Sequence, residues 1–170
     1  MKTVSIYKLI AYSLDFEGYF RVKQREVGSR SALYTADVII GNTEKELLEE
    51  FKNEVGFGRI DRGTIPNIKS SKVYRWSMNR AEILEYLPKI IPFLIIKWRQ
   101  GELVLEATKI IKPISYVYTL KRHQKKEMYT DDEIITLNSI YWECAKLNER
   151  YKYKHSITEI ESIKLGLGRR

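Results

Sequence analysis

The stretch that decides the fold is Ile10-Ala11-Tyr12-Ser13-Leu14-Asp15-Phe16-Glu17-Gly18-Tyr19-Phe20. With Tyr7 upstream, Ile10, Ala11 and Leu14 recur at helical spacing and form one apolar stripe. The run ends in two carboxylates spaced Asp-x-Glu, and Gly18 breaks the helix. From Tyr19 to Arg25 the period changes to two: Phe20 and Val22 point one way, Arg21, Lys23 and Arg25 the other. A helix ending in acids just before a basic strand can hold a divalent metal against a phosphodiester, because hard cations take carboxylate oxygens together with substrate phosphate.

Working outward, Gly28-Ser29-Arg30-Ser31 reads as a turn, and Tyr34, Ala36, Val38 and Ile40 alternate with Leu33, Thr35, Asp37 and Ile39. Residues 19–40 are therefore expected to form a hairpin with one polar, mostly basic face. Thr43-Glu44-Lys45-Glu46 has the capping-box form and predicts a helix with Leu47, Leu48 and Phe51 inside, ended by Gly56 and Gly58. A second hairpin is expected from Arg59–Arg62 and Val73–Met78, around Gly63 and Pro66. Tyr74, Trp76 and Met78 would face its core, and Arg75 and Ser77 would face outward. Asn79 is the expected N-cap of a helix carrying Ile83, Leu84, Leu87 and Ile90, which Pro88 should kink or shorten. Pro92 is expected to restart the chain at a helix N-terminus, with helix continuing from Leu94 to Ile111.

The order is helix, two strands, helix, two strands, helix, helix. Residues 19–55 and 57–91 read as one strand-strand-helix unit used twice. Lys121-Arg122-His123-Gln124-Lys125-Lys126 is a basic loop and a candidate phosphate contact. Asp131–Arg150 reads as an amphipathic helix, Ile157–Lys164 as a short final helix, and Gly166–Arg170 as a frayed end.

Among 170 residues, 30 Lys and Arg against 22 Asp and Glu leave a formal charge of +8, which favours a polyanionic partner. No apolar run approaches the roughly 20 residues of a membrane span, so nucleic acid is the expected polyanion and no membrane role is expected. Cys144 is the single cysteine, which excludes an internal disulfide and a cysteine metal cluster. The segment Met1–Lys8 is too interrupted by Lys and Ser for a signal peptide, and an intracellular location is expected. His123 and His155 have no metal-ligand spacing, and no glycine-rich phosphate loop occurs. On the two hairpins, Arg21, Lys23, Arg25, Asp37, Arg59, Asp61, Arg75 and Ser77 are candidate DNA contacts. A β-ribbon fits the major groove, where Arg pairs with guanine and Asp accepts from cytosine.

The opening stretch resembles the LAGLIDADG motif of homing endonucleases: Ala11, Asp15, Gly18 and Phe20 stand where the motif has A, D, G and F, and Glu17 replaces its second acid. The resemblance extends to Pro92-Phe93-Leu94-Ile95-Ile96-Lys97-Trp98-Arg99-Gln100-Gly101-Glu102-Leu103-Val104-Leu105, similar to the last core helix of the single-motif members. It implies an α+β fold with an αββαββα core and a curved antiparallel sheet over residues 4–111, with a C-terminal helical extension over about 131–165, all in one domain spanning 1–170. It implies a homodimeric, site-specific double-strand DNA endonuclease using Mg²⁺ or another divalent cation such as Mn²⁺ on a near-palindromic target. Glu17, with the Phe16 carbonyl, would hold the metal, and Lys97 would stand as the catalytic-centre lysine. Asn42 and Lys45 would be a water-positioning amide and a nearby cation, although Asn42-Thr43 also reads as a plain helix start. Ala11, Tyr12, Asp15 and Phe16 would lie at the dimer interface. Tyr12 and Phe16 replace the small residues usual there, which keep two such helices close. The resemblance further implies an intron-encoded protein in a prokaryotic cytoplasm or an organelle, with intron RNA as a second partner. The competing reading is a noncatalytic relative serving as an RNA maturase or transcription factor.

Overall fold

The computed structural model describes residues 3–26, 32–63, 73–113 and 128–148. Its elements are α1 (Thr3–Phe16), β1 (Gly18–Glu26), β2 (Ala32–Asn42), α2 (Lys45–Val55), β3 (Arg59–Gly63), β4 (Val73–Ser77), α3 (Arg80–Ile90), a 3₁₀ turn (Ile91–Phe93), α4 (Trp98–Ile110) and α5 (Asp131–Leu147). The four strands form one antiparallel sheet in the order β1-β2-β4-β3. The two hairpins meet through β2 and β4, where Ile40 lies opposite Trp76. The expected twofold use of a strand-strand-helix unit is thus present, as β1-β2-α2 and β3-β4-α3.

Alternation along the strands sends Phe20, Val22, Tyr34, Val38, Ile40 and Trp76 into the core, against Ile10, Leu14, Ile83, Leu87, Val104 and Leu137 from the helices. Trp76 is fully buried, meets Phe51 edge-on at 5.1 Å, and donates its indole N–H to the Phe57 carbonyl at 3.0 Å. Gly58, at φ 87°, passes so close to that indole that a Cβ would lie 2.1 Å from its nitrogen. Gly18 is required for a different reason: a Cβ there would lie 2.6 Å from the Leu14 Cα, because the chain reverses tightly between α1 and β1.

Helix ends explain where the sequence expectations hold and where they fail. Asn79 caps α3, accepting from the Glu82 amide at 3.1 Å while the Glu82 carboxylate accepts from the Asn79 amide at 2.7 Å. Thr130 and Glu133 make the same reciprocal pair at the start of α5. Thr43 makes no such cap: α2 starts one residue later than expected, with Glu44 at its N-cap and no side-chain cap bond there. Asn42 instead accepts the Glu44 amide through Oδ1 at 2.9 Å. Gly56, at φ 80°, ends α2 as expected. α3 continues through Pro88 and stops two residues later. The expected helix over Leu94–Ile111 is corrected at its start. Pro92 lies in the 3₁₀ turn, Leu94 is extended, and α4 begins only at Trp98.

α5 packs on β1 and α4. Asn138, buried on α5, accepts the Tyr34 hydroxyl at 2.8 Å, and Asn148 donates to the Phe20 carbonyl at 2.9 Å. The first hairpin's turn, the tip of the second around Pro66, the basic loop at Lys121–Lys126 and the segment Ile157–Lys164 lie outside the described residues. Among those described, no helix is long and apolar enough to cross a membrane.

Candidate active site and nucleic-acid face

The end of α1 and the start of α4 are stitched together by two side chains. The Asp15 carboxylate is buried and accepts three backbone amides: Ile95 at 2.7 Å, Ile96 at 3.3 Å and Lys97 at 2.9 Å. The leading amides of a helix have no acceptor within it, and Asp15 supplies one from α1 as the chain enters α4 at Trp98. In return, the Lys97 ammonium donates to the Leu14 carbonyl at 2.8 Å and the Gly18 carbonyl at 2.7 Å, placing positive charge at the negative end of α1.

Glu17 follows as the first residue beyond α1, with its amide on the Ser13 carbonyl at 2.9 Å. Its side chain is exposed, and Oε2 accepts from Asn42 Nδ2 at 3.2 Å. Asn42 is itself oriented by the Glu44 amide on Oδ1, so the amide group is held at both ends. Glu17 and Asn42 share a groove of about 340 Å³ with Tyr12, Phe16, Leu47 and Phe51. Lys45 is not in that groove. It pairs with Glu49 one turn along α2 at 2.5 Å, and that hydrogen bond holds its ammonium above the usual lysine range.

The four residues expected at a self-association face differ in exposure within the single chain. Ala11 is fully buried in its own chain's core, and Asp15 is consumed by the 95–97 amides. Phe16, 78% exposed, and Tyr12, 38% exposed, do lie on the surface. Sequence reading missed Ile95 and Ile96, at 72% and 62% exposure, whose amides the Asp15 carboxylate ties to the end of α1. Their apolar character at a helix start was the available signal. Together with Leu9 they extend the exposed apolar surface of α1.

The second feature is the sheet face turned away from the core. Arg21, Lys23, Asp37, Arg59, Asp61, Arg75 and Ser77 line one concavity of about 220 Å³, as the strand alternation predicts. Arg62, which alternation would assign to the other side, joins them from the edge strand β3. Arg25 occupies a β1 register position opposite Leu33. Asp37 accepts from Arg21 at 3.0 Å and Lys23 at 2.6 Å, and Asp61 from Arg59 at 2.7 Å.

Among the described residues no three His, Cys, Asp or Glu side chains converge. One chain therefore offers one exposed carboxylate, Glu17, at the candidate centre. That donor set fits a hard cation of the Mg²⁺ kind, which is commonly held by one or two carboxylates with substrate phosphate and water completing the shell.

No family profile and no curated protein matches the sequence. Solved structures do match the fold. The homing endonuclease I-CvuI, crystallised with its target and calcium, superposes with a TM-score of 0.68 at 13% identity, covering 96% of this chain and 93% of that one. The archaeal intron-encoded homing endonuclease I-Vdi141I, complexed with DNA, gives 0.67 at 22% identity over 95% of this chain and 97% of its own. The group I intron-encoded homing endonuclease I-CeuI, complexed with DNA, gives 0.65 at 11% identity over 98% of this chain and 78% of its own. With an open four-stranded antiparallel sheet backed by helices, and with neighbours of this kind, the chain has the fold of the LAGLIDADG homing endonucleases.

Proposed function

We propose that this chain is a site-specific double-strand DNA endonuclease, dependent on a divalent metal and active as a homodimer. The observation that carries the reading is the placement of Glu17. It is an exposed carboxylate, held by Asn42, at the point where the apolar surface of α1 gives way to the strand bearing Arg21 and Lys23. Glu17 from each of two copies, with the Phe16 carbonyl, would supply the protein oxygens for the metal. A bound divalent cation supplies an activated water and neutralises charge on the phosphoryl oxygens. Asn42 fixes the direction of the Glu17 carboxylate. Lys97 holds the α1 terminus and adds positive potential beside it. Lys45 contributes charge to the surrounding surface only.

The sheet face is the proposed DNA contact, with Arg21, Lys23, Arg25, Arg59, Arg75 and Ser77 reaching base edges and phosphates. Two sheets related by a twofold axis suit a long, near-palindromic duplex, and the exposed Phe16, Ile95 and Ile96 give the second copy a surface to bury. The neighbours I-CvuI, I-Vdi141I and I-CeuI are DNA complexes of homing endonucleases, which supports the same substrate class here.

The test is selection of cleaved sites from a randomised duplex pool with Mg²⁺, run beside Glu17→Gln. Cleavage at twofold-symmetric sites is expected for the native chain. Retained binding without cleavage is expected for the variant, because the amide is a poor metal ligand while the basic face is untouched. Binding without cleavage by the native chain would favour a noncatalytic DNA-binding role. Undiminished cleavage by Glu17→Gln would refute the catalytic assignment.

A further inference from the structure

On the sheet face, Arg21 and Asp37 are direct cross-strand partners in the β1–β2 ladder. Arg21 donates to Asp37 Oδ2 through Nε at 3.3 Å and Nη2 at 3.0 Å, and Lys23 reaches the same oxygen at 2.6 Å. Arg21 also lies over the Tyr19 ring at 5.1 Å. All three charged side chains are about three-quarters buried, with exposures of 25%, 27% and 21%. The second hairpin repeats the arrangement: Asp61 lies opposite Arg75 in the β3–β4 ladder and pairs with Arg59. Each hairpin therefore sets one aspartate among cations, on a surface whose proposed ligand is a polyanion.

Two physical consequences follow. An aspartate between two cations leaves the trio with one net positive charge, which weakens its attraction for any phosphate regardless of sequence. The same aspartate fixes the guanidinium plane before DNA arrives, so less side-chain entropy is lost when a base edge is engaged. Both effects lower nonspecific binding relative to specific binding. Building on the DNA-binding reading above, we infer that Asp37 is a specificity-determining positioning residue: it holds Arg21 and Lys23 for base readout and restrains them from indiscriminate phosphate binding.

The experiment measures binding to a randomised duplex pool in EDTA, so that cleavage plays no part, for the native chain, Asp37→Asn and Arg21→Gln. Asp37→Asn is nearly isosteric, and an unchanged melting temperature checks its fold. Its affinity for unselected duplex is expected to rise, with a log-salt slope steeper by about 0.9 for each further phosphate that the released cations neutralise. Its preference is expected to collapse by about 5- to 150-fold at one or two adjacent base pairs, the discrimination a single misread pair carries. Arg21→Gln is expected to lose preference at the same positions while binding unselected duplex more weakly. Opposite affinity changes at a shared position separate positioning from general damage, which would weaken binding in both variants. Native selectivity retained by Asp37→Asn overturns this inference and leaves the DNA reading standing. A native chain that enriches no sequence and binds no duplex overturns both.

Discussion

Asp15 and Lys97 cap each other's helices. The Asp15 carboxylate at the end of α1 accepts the Lys97 amide at 2.9 Å, and the Lys97 ammonium before α4 returns to the Leu14 carbonyl at 2.8 Å. The exchange ties the terminus that carries Glu17 to an element 80 residues away in sequence, since Asp15 also accepts from Ile95. The negative end of α1 gains a cation and the N-terminus of α4 gains an anion, both favourable placements for a helix dipole.

Asp15→Ala is therefore expected to lower the unfolding free energy by about 2–3 kcal/mol, combining a lost cap with three partly buried amides left without their acceptor. The measurement is the urea midpoint at neutral pH, with Asp15→Asn as companion, expected to cost less because its amide oxygen still accepts. The account also requires Asp15→Ala to lose more stability than Asp61→Ala, whose carboxylate makes only an exposed ion pair with Arg59. Equal losses would mean that the three amides find other partners.

The legibility of this protein follows its chemistry. Alternation in 19–23 and 73–77 separated core from outward residues because each strand has one buried face, so the period-two pattern had to be kept. Asn79 was legible as a cap because its partner Glu82 lies three residues away in sequence. Thr43-Glu46 has the same local spacing and failed, because Asn42 took over the turn while also reaching Glu17 across the fold. The setting of the α4 N-terminus was hidden for the same reason: the carboxylate that receives the 95–97 amides is Asp15, far off in the chain. The motif itself drew attention to Asp15 and Ala11 but not to which way they point, since a helix shows its contacts only once its neighbours are placed. Arg62 was missed because alternation assigns its position, opposite Tyr74, to the other face, whereas its long side chain reaches the concavity from β3.

Self-association is expected to depend on the apolar surface around Phe16. Ile96 is 62% exposed and Phe16 78%, and neither belongs to the chain's own core. Ile96→Glu should leave the monomer fold intact, since the side chain already meets solvent, while placing a charge where a second copy would bury it. Sedimentation of the native chain is expected to show a dimer, and that of the variant a monomer with an unchanged melting profile at low concentration. A variant that sediments as the native dimer would move the interface elsewhere. The more distant Ile135→Glu, an exposed site on α5, serves as the control expected to leave association unchanged.

Tyr34 gives the fold a defined alkaline limit. It is 1% exposed, donates to Asn138 Oδ1 at 2.8 Å, and meets Tyr129 edge-on at 5.7 Å. Burial, reinforced by Tyr129, pushes its hydroxyl from 10.0 up to about 12. The folded state thus holds this proton more tightly than the unfolded chain. The associated stability is fully present below pH 10 and is lost as pH rises through about 12. The gap corresponds to about 3 kcal/mol, of which packing around a neutral phenol carries none. Tyr34→Phe removes the titrating group but leaves Asn138 without its donor, for a loss of about 1–3 kcal/mol at neutral pH. The stability difference between native chain and variant is therefore expected to shrink between about pH 10 and 12, and to be flat below pH 9. Urea titrations across that range read the difference directly, and ionisation of the tyrosines away from the Tyr34–Tyr129 pair is common to both chains and cancels. A difference that stays constant to pH 12 would place the Tyr34 hydroxyl in contact with water, contrary to its packing between the sheet and α5.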